Sequence, residues 1–547
     1  MAYLGSFHAQ VAAVALLLAA RAAATPYLTA GLTVDTQPTP SGAAIKAAAS
    51  GYSSLWGKNG ELWKPSGPLP DFSFAGYHQG KGPLPSPAVT KSVLAFKPGS
   101  KDDTDMLMKA VDWAHKQSPP KGGYTVLYIP AGTYTLTARL WIKKSNIVIR
   151  GAGAGQTILY IPKSLWDLYG KSKGSVSGGY VNWGGFITVW GSTKKGSLLT
   201  TATGTAKRGD YRLAVKDASK LKVGQYYDLW WKDVGGKLNR AMFDGKADGP
   251  ASYVGSTRTR FTAKVVGING KVVTLERALP YPISSSIDKV SFLAPAKTVE
   301  EVGVEGLTFK FKWEPYAGHH CERGWNAIEI QAARDCWVRD IEIINPDSGV
   351  LLNYLASSIT VTGIKIWYTK TRANHIPNPY GETTDADGHW GLVYSVSYDA
   401  LFSNFTFTGR LLHDVGTGMG GKWGVFMDGW LSDGNLDLHR GLAGPTLYTN
   451  INVGRGSDAL SSGGPSRAGP NSVAYSTWWN IRSAKAIDPN HSNNKPGSCS
   501  FGTSINLVGV NLNSNARGMC PSWHYERSIK GPTNIYQAQL ARRTRRR

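Results

Sequence analysis

The sequence predicts an all-β solenoid of short stacked strands with one capping helix, and three observations carry that reading. Sixty-four of the 547 residues are glycine, well above the usual ~7%, while only 18% are charged against ~25% in a typical soluble domain. Short apolar runs punctuated by glycine recur at steps of roughly 20–30 residues, the signature of stacked structural repeats. Amphipathic helical spacing is nearly confined to one segment. With 19 Trp, 25 Tyr and 15 Phe and a 41% hydrophobic fraction, the chain is no disordered polymer.

The elements follow in order. Residues 1–24 read as a secretory signal peptide: a short apolar run over 11–20, then Arg21 and the small residues Ala22, Ala23 and Ala24. Residues 25–91, rich in Ala, Gly, Pro and Ser with isolated Trp56, Trp63, Phe72 and Tyr77, form an extended N-terminal arm packed on the main domain. Residues 92–190 hold the N-terminal cap and first coils. There Asp102, Asp103 and Asp105 precede Leu107, Ala110, Val111 and Ala114, a capped amphipathic helix over 105–116. Strands follow over 126–129, 133–136 and 147–150, the apolar run Ile147-Val148-Ile149 suiting parallel strands.

Residues 191–295 break the rhythm. Alternating strands over 211–215, 224–229 and 265–275, the last turning at Asn269-Gly270, predict an antiparallel β insertion. The main coils occupy 296–530, with strands over 338–344, 359–366, 402–407, 447–453, 478–482 and 505–512. Ile341 to Ile364 is 23 residues, Phe405 to Ile451 is 46 (twice 23), Ile451 to Ile481 is 30 and Ile481 to Val508 is 27. The longer step of 41 from Ile364 to Phe405 implies one loop insertion. Residues 531–547 end in five arginines and read as a basic disordered tail.

The net charge of +24 is otherwise distributed, which favours polyanionic partners. No zinc-finger spacing or RNA-binding motif appears, so an acidic polysaccharide is preferred over nucleic acid. No segment reaches ~18 apolar residues, so no membrane span is expected. Secretion makes Cys499–Cys520 the expected disulfide; Cys321 and Cys336 could pair, or Cys336 could be a buried thiol. Sequons begin at Asn404 and Asn490.

The segment Asp102-Asp103-Thr104, with Ile129-Pro130-Ala131-Gly132-Thr133-Tyr134 and Ile149-Arg150-Gly151-Ala152-Gly153, resembles the opening of pectate-lyase-superfamily (pectin-lyase-like) proteins. That resemblance covers about 92–165 and implies a right-handed parallel β-helix, with the helix capping one end. Lys97-Pro98-Gly99-Ser100-Lys101 replaces the superfamily's usual Gly-Asp-Gly lead-in. Later segments also resemble secreted members: Gly388-His389-Trp390-Gly391, Asp437-Leu438-His439-Arg440 and Thr477-Trp478-Trp479-Asn480. The resemblance implies secreted, polysaccharide-directed proteins: lyases, glycoside hydrolases, epimerases and binding proteins. Fold alone does not choose among them.

The polar clusters are Glu382-Asp385-Asp387-His389, His413-Asp414 and Asp437-His439-Arg440. His413 stands 24 residues after His389, and His439 stands 26 after His413, each about one coil. Residues one coil apart stack ~4.8 Å apart, so these segments predict a ladder of histidines with Asp387, Asp414 and Asp437 alongside. One slipped residue would turn a side chain to the other face. A lone histidine in such a loop is ordinarily a hydrogen-bonded turn residue; repetition at coil spacing is what singles these out.

Two chemistries fit the ladder. A β-eliminating lyase needs a base for the C5 proton of a uronic acid, here His439 or His413, and a cation for the adjacent carboxylate, here Arg440, Lys422 or Arg455. A glycoside hydrolase needs two carboxylates, which the three aspartates could supply. Asp385 and Asp387 could instead hold Ca²⁺, the one cofactor considered. Trp390 and Trp423, with Trp430, Trp478 and Trp479, could stack on sugar rings, although each could equally be a core aromatic. The leading expectation is a lyase acting on an anionic glycan, with a hydrolase or a non-catalytic matrix or glycan-binding protein as alternatives.

Overall fold

A computed structural model describes residues 51–96, 102–170, 181–247, 258–284, 288–373, 377–378, 384–489, 499–513 and 519–545. The signal peptide, the lead-in residues Lys97 to Lys101, Glu382 and the sequon at Asn490 lie outside them.

The apolar runs become strands because each alternates core-facing and outward residues, and each coil lays its strand beside the previous one. The result is a right-handed parallel β-helix whose coils contribute to two large parallel sheets, of fourteen and seven strands. A narrow third ladder pairs Val299–Glu300 with Ala333–Arg334 and continues through Ser357, Tyr398 and Lys422. All nine coil strands foreseen from sequence belong to the fourteen-stranded sheet. In it Ile341 is level with Ile364, Ile364 with Phe405, and Ile451 with Ile481. The step of 46, two coil steps, holds the intervening strand Val425–Leu431. Its Gly429 stands level with Phe405, whose ring lies 2.0 Å from where a Cβ would be, so the phenylalanine fills both places. Ile481 pairs with Val510 rather than Val508.

The interior is a stack of side chains along the axis. Phe402 and Phe426 lie 4.5 Å apart at 11°, Phe426 and Tyr448 5.3 Å at 9°, and Tyr448 and Trp478 5.3 Å at 24°. Trp478 is therefore core, not a sugar platform. The helix Thr104–Lys116 caps the N-terminal end with Met106, Leu107, Ala110, Val111 and Ala114 buried. Its first turn is held by Asp102, whose carboxylate accepts from the Thr104 amide at 3.0 Å.

Residues 51–90 lie on the outer face of the fourteen-stranded sheet, which Lys91–Ser92 then joins as its first strand. Trp56, Trp63, Leu69 and Phe72 pack there on Leu401, Val425, Leu447, Trp479 and Val508. The C-terminus corrects the expectation of a disordered tail, because Ile535–Arg545 is a helix. Ile535 and Tyr536 are buried in the same cluster, and Arg543 donates to the carbonyls of Ser73 and Gln79. Apolar anchoring and arginine–carbonyl bonds offset the repulsion among the arginines, which composition alone did not show.

The insertion is a closed six-stranded antiparallel barrel built from Leu198–Thr203, Arg212–Val215, Tyr226–Asp233, Arg258–Asn269, Val272–Leu275 and Asp288–Leu293. It has its own core and docks on Tyr398, Trp423, Leu442 and Val473. A buried bidentate pair locks it there: Arg277 donates to Asp399 at 2.9 and 3.0 Å. Cys499 and Cys520 form a disulfide, and Cys336 is a buried thiol whose Sγ accepts from the Val302 amide. Among the described residues no helix is long and apolar enough to cross a membrane.

Candidate active site

The seven-stranded sheet positions the site. Three of its strands are consecutive neighbours at one end: Gly388–Tyr394, Leu411–Thr417 and Leu436–Leu438. Their registers place Val393 beside Gly416 and Gly416 beside Asp437. The same row continues through Leu351, Glu329 and Thr188 to Trp141. The neighbours of Thr188, Glu329 and Asp437 along their strands are core residues, so this row faces outward. At ~4.8 Å per strand it extends about 29 Å, and from Asp437 through Val393, Leu351 and Glu329 to Thr188 it is buried. At its far end Arg139 stacks on Trp141 at 4.2 Å, and the exposed Trp190 meets Trp141 edge-on.

Asp437 is fully buried and organises the near end. Its Oδ2 lies 2.9 Å from His439 Nδ1 and 3.6 Å from His413 Nδ1, and its Oδ1 accepts from the Gly463 amide at 2.7 Å. Burial opposes ionisation, but the two imidazoles and that amide outweigh it and hold the carboxyl below the usual range. His439 keeps 24% of its side chain exposed, whereas His413 is buried. Gly463 roofs both rings: a Cβ there would lie 2.4 Å from His439 Cε1 and 2.8 Å from His413 Cε1.

The histidines meet, but not as rungs of a simple ladder. The register pairs His413 with Trp390, not with His389. Trp390 stacks on His389 at 5.0 Å and on His413 at 4.4 Å, and meets His439 edge-on at 5.1 Å. At 5% exposure it is a packing plate for the imidazoles rather than a sugar platform.

A fourth histidine, not singled out from sequence, joins them. His319 lies 5.2 Å from His389 and 6.3 Å from His413 between ring centroids. It sits in the loop 312–325, which Asp347 fixes by accepting from the amides of Arg323, Gly324 and Trp325. The fully buried Arg372 ties that loop to the coil, donating to the Glu314 and Pro346 carbonyls and to Asp347. Glu322 from this loop lies 3.0 Å from His389 Nδ1 and accepts from Tyr316 at 2.6 Å. Burial pushes Glu322 up to about 7 and pushes His319, His389 and His413 well below the usual imidazole range. Nitrogens of His319, His389 and His413 lie within 4.8 Å of one another, as do donor atoms of His413, Asp437 and His439. These are the residues that could hold a cation.

The other residues singled out from sequence stand apart from this cluster. Asp414 follows His413 on the strand and is buried, accepting from the Asn435 amide at 3.0 Å; burial pushes its carboxyl up to about 8. Asp387 staples a loop, accepting from Thr371 Oγ1 and the amides of Arg372 and Arg410. Its oxygens thus face N–H and O–H donors, and Asp385 is 62% exposed and paired with Arg410, so the pair does not converge on a calcium site. Arg440 turns its guanidinium to the Gly469 carbonyl. Lys422 is buried with Nζ on the Leu442 carbonyl, and Trp423 packs on Phe261 of the barrel. Arg455 is 69% exposed, beside Asp433. The adjacent pair His319-His320, bracketed by Gly318 and Cys321-Glu322, is the signal that could have revealed the missed ligand loop.

The fold and this cluster define a right-handed parallel β-helix protein with a histidine-lined outer face. No family model matches the chain. It is similar to Alginate lyase 7 of Azotobacter vinelandii, 40% identical over 75 residues; the match spans 13% of this chain and 8% of that protein. It is also similar in structure to the tailspike protein gp49 from Pseudomonas phage LKA1, with a TM-score of 0.45 and 13% identity over 74% of this chain and 63% of that one. The gp54 tailspike of Acinetobacter baumannii bacteriophage AP22, solved with A. baumannii capsular saccharide, has a TM-score of 0.44 and 13% identity, covering 77% and 57%. The A-module of the Azotobacter vinelandii mannuronan C-5 epimerase AlgE4 has a TM-score of 0.26 and 12% identity, covering 76% and 80%.

Proposed function

We propose that this chain is a secreted enzyme that cleaves an anionic, uronic-acid polysaccharide by β-elimination. The observation that carries the reading is the Asp437–His439 pair, whose imidazole keeps 24% of its side chain exposed. Asp437 accepts from His439 Nδ1–H, which leaves Nε2 as the lone-pair nitrogen and stabilises the imidazolium that forms. His439 Nε2 takes the C5 proton, the C5–H electron pair becomes the C4–C5 double bond, and the C4–O4 bond breaks. The proton then passes to the departing O4. The disulfide suits an oxidising compartment, and the net charge of +24 suits an anionic substrate.

Elimination is favoured over hydrolysis because Asp387 and Asp414 are engaged with backbone donors away from Asp437, and Glu329, the other carboxylate of the row, stands four strands away, ~19 Å at ~4.8 Å per strand. The test is incubation with polymers of mannuronate, guluronate, galacturonate and glucuronate. Ultraviolet absorbance from the C4–C5 double bond is expected, falling on the order of 10²–10⁴-fold in His439→Ala while glycan binding persists. New reducing ends without that absorbance, or neither signal on any polymer, would refute it.

A further inference from the structure

Elimination at a uronate requires a cation against the carboxylate, and the structure turns away every side chain of that charge that the sequence suggested. Lys422 and Arg440 are spent on backbone carbonyls, and Arg455 sits at the surface beside Asp433. What faces the site instead is a set of nitrogen donors.

We infer that His319, His389 and His413 form a binding site for a divalent transition metal of the zinc class, whose open position receives the substrate carboxylate. The mutual distances carry this: the three donor nitrogens lie within 4.8 Å of one another. Zinc bonds of ~2.1 Å at the tetrahedral angle set ligand nitrogens about 3.4 Å apart. Each pair therefore needs to close by no more than about 1.4 Å for all three nitrogens to reach one ion.

The surroundings match how metal-ligating histidines are held. Such histidines turn their second ring nitrogen to a carboxylate, which fixes ring orientation and raises basicity. His389 Nδ1 lies 3.0 Å from Glu322, itself held by Tyr316, and His413 Nδ1 lies 3.6 Å from Asp437. Each Nε2 is then the ligating nitrogen. Neither Nδ1 is aligned as a hydrogen bond, and Glu322 Oε2 is likewise buried without a partner, so the cluster as it stands leaves buried polar atoms unsatisfied. Ring rotation onto a shared cation would bring both contacts into line. The donors are imidazole nitrogens, which suit zinc, copper or nickel rather than calcium. Three protein ligands leave the fourth position open, which is the arrangement of catalytic rather than structural zinc. The metal's part in elimination rests on the reading of the preceding section; its binding does not.

The test uses the full chain stripped by chelator and dialysis, titrated with Zn²⁺ by calorimetry and with Co²⁺ by visible absorption. One equivalent of Zn²⁺ and an intense tetrahedral Co²⁺ band are expected. His319→Ala, on a half-buried loop, should lower affinity at least ~100-fold, and Glu322→Gln should lower it about 10–100-fold. Circular dichroism checks that each variant folds; should Glu322→Gln fail, His319→Ala alone decides. Substoichiometric zinc, or a His319→Ala variant that binds like the parent, overturns the site. Tight zinc binding without glycan cleavage upholds the site and counts against the lyase reading alone. Cleavage by a zinc-free protein that chelator does not slow overturns the metal's role.

Discussion

Replacing Lys422 by methionine separates a buried structural lysine from a substrate-binding one. Lys422 is 1% exposed, its Nζ meets only the Leu442 carbonyl among its hydrogen-bond partners, and burial pulls its ammonium from 10.5 down to about 7. Between pH 7 and 10.5 the unfolded chain holds a proton at this residue that the folded chain does not. Stability of the parent therefore rises with pH through that window, by about 1.4 kcal/mol per unit and up to roughly 5 kcal/mol in all. Below pH 7 both states are charged and the folded protein bears the full burial cost. Methionine keeps the volume and removes the charge, at the loss of one hydrogen bond of about 1 kcal/mol. Lys422→Met should thus be more stable than the parent at pH 6, with the gain shrinking steadily toward pH 10. Glycan turnover should be unchanged. Denaturant unfolding of both proteins at pH 6, 7.5 and 9 measures the difference, in which all other titrations cancel. A constant difference across pH, or a loss of substrate affinity with folding intact, would refute the reasoning.

Gly463→Ala should drive a methyl into His439 and His413, costing about 1–3 kcal/mol in stability and displacing both imidazoles; thermal unfolding and glycan turnover would both report it. Arg277→Ala strands the buried Asp399 carboxylate at the barrel interface and should destabilise the chain by about 3–5 kcal/mol, read by denaturant unfolding at pH 7. Tyr536→Ala removes a ring that is 2% exposed and a hydrogen bond to the Ala75 carbonyl. It should cost about 3–5 kcal/mol and raise protease sensitivity in the arm 51–96, whereas a disordered C-terminus would make the substitution silent.

How much of this was legible in the sequence follows from which signals are local. The solenoid was, because each coil must bury its own apolar run and the runs therefore recur: Ile341, Ile364 and Phe405 are level in the structure as their spacing implied. The cap helix and the hairpin at Asn269-Gly270 were readable for the same reason, since capping aspartates and turn residues act within a few residues of themselves. The step of 46, twice 23, implied a coil between Phe405 and Ile451, but its strand, Val425–Leu431, could not be located because Gly429 has no apolar side chain, its place being filled by Phe405 from the coil before.

The site was only half legible. Coil spacing brought His389, His413, Asp437 and His439 to one region, but strand pairing is sensitive to a single residue, and His413 fell level with Trp390. Adjacent residues on a strand point to opposite faces, so His413 and Asp414 could not both join one ladder. His319 arrives from a loop whose distance along the chain bears no relation to the coil period. The cations were misplaced because burial decides what a lysine or arginine touches: Lys422 lies on the narrow ladder under the barrel, and Arg440 folds back on its own turn. Composition and periodicity determined the architecture and the residue types available for chemistry. Register, loop closure and burial, which depend on contacts between segments distant in sequence, decided which of those residues face one another.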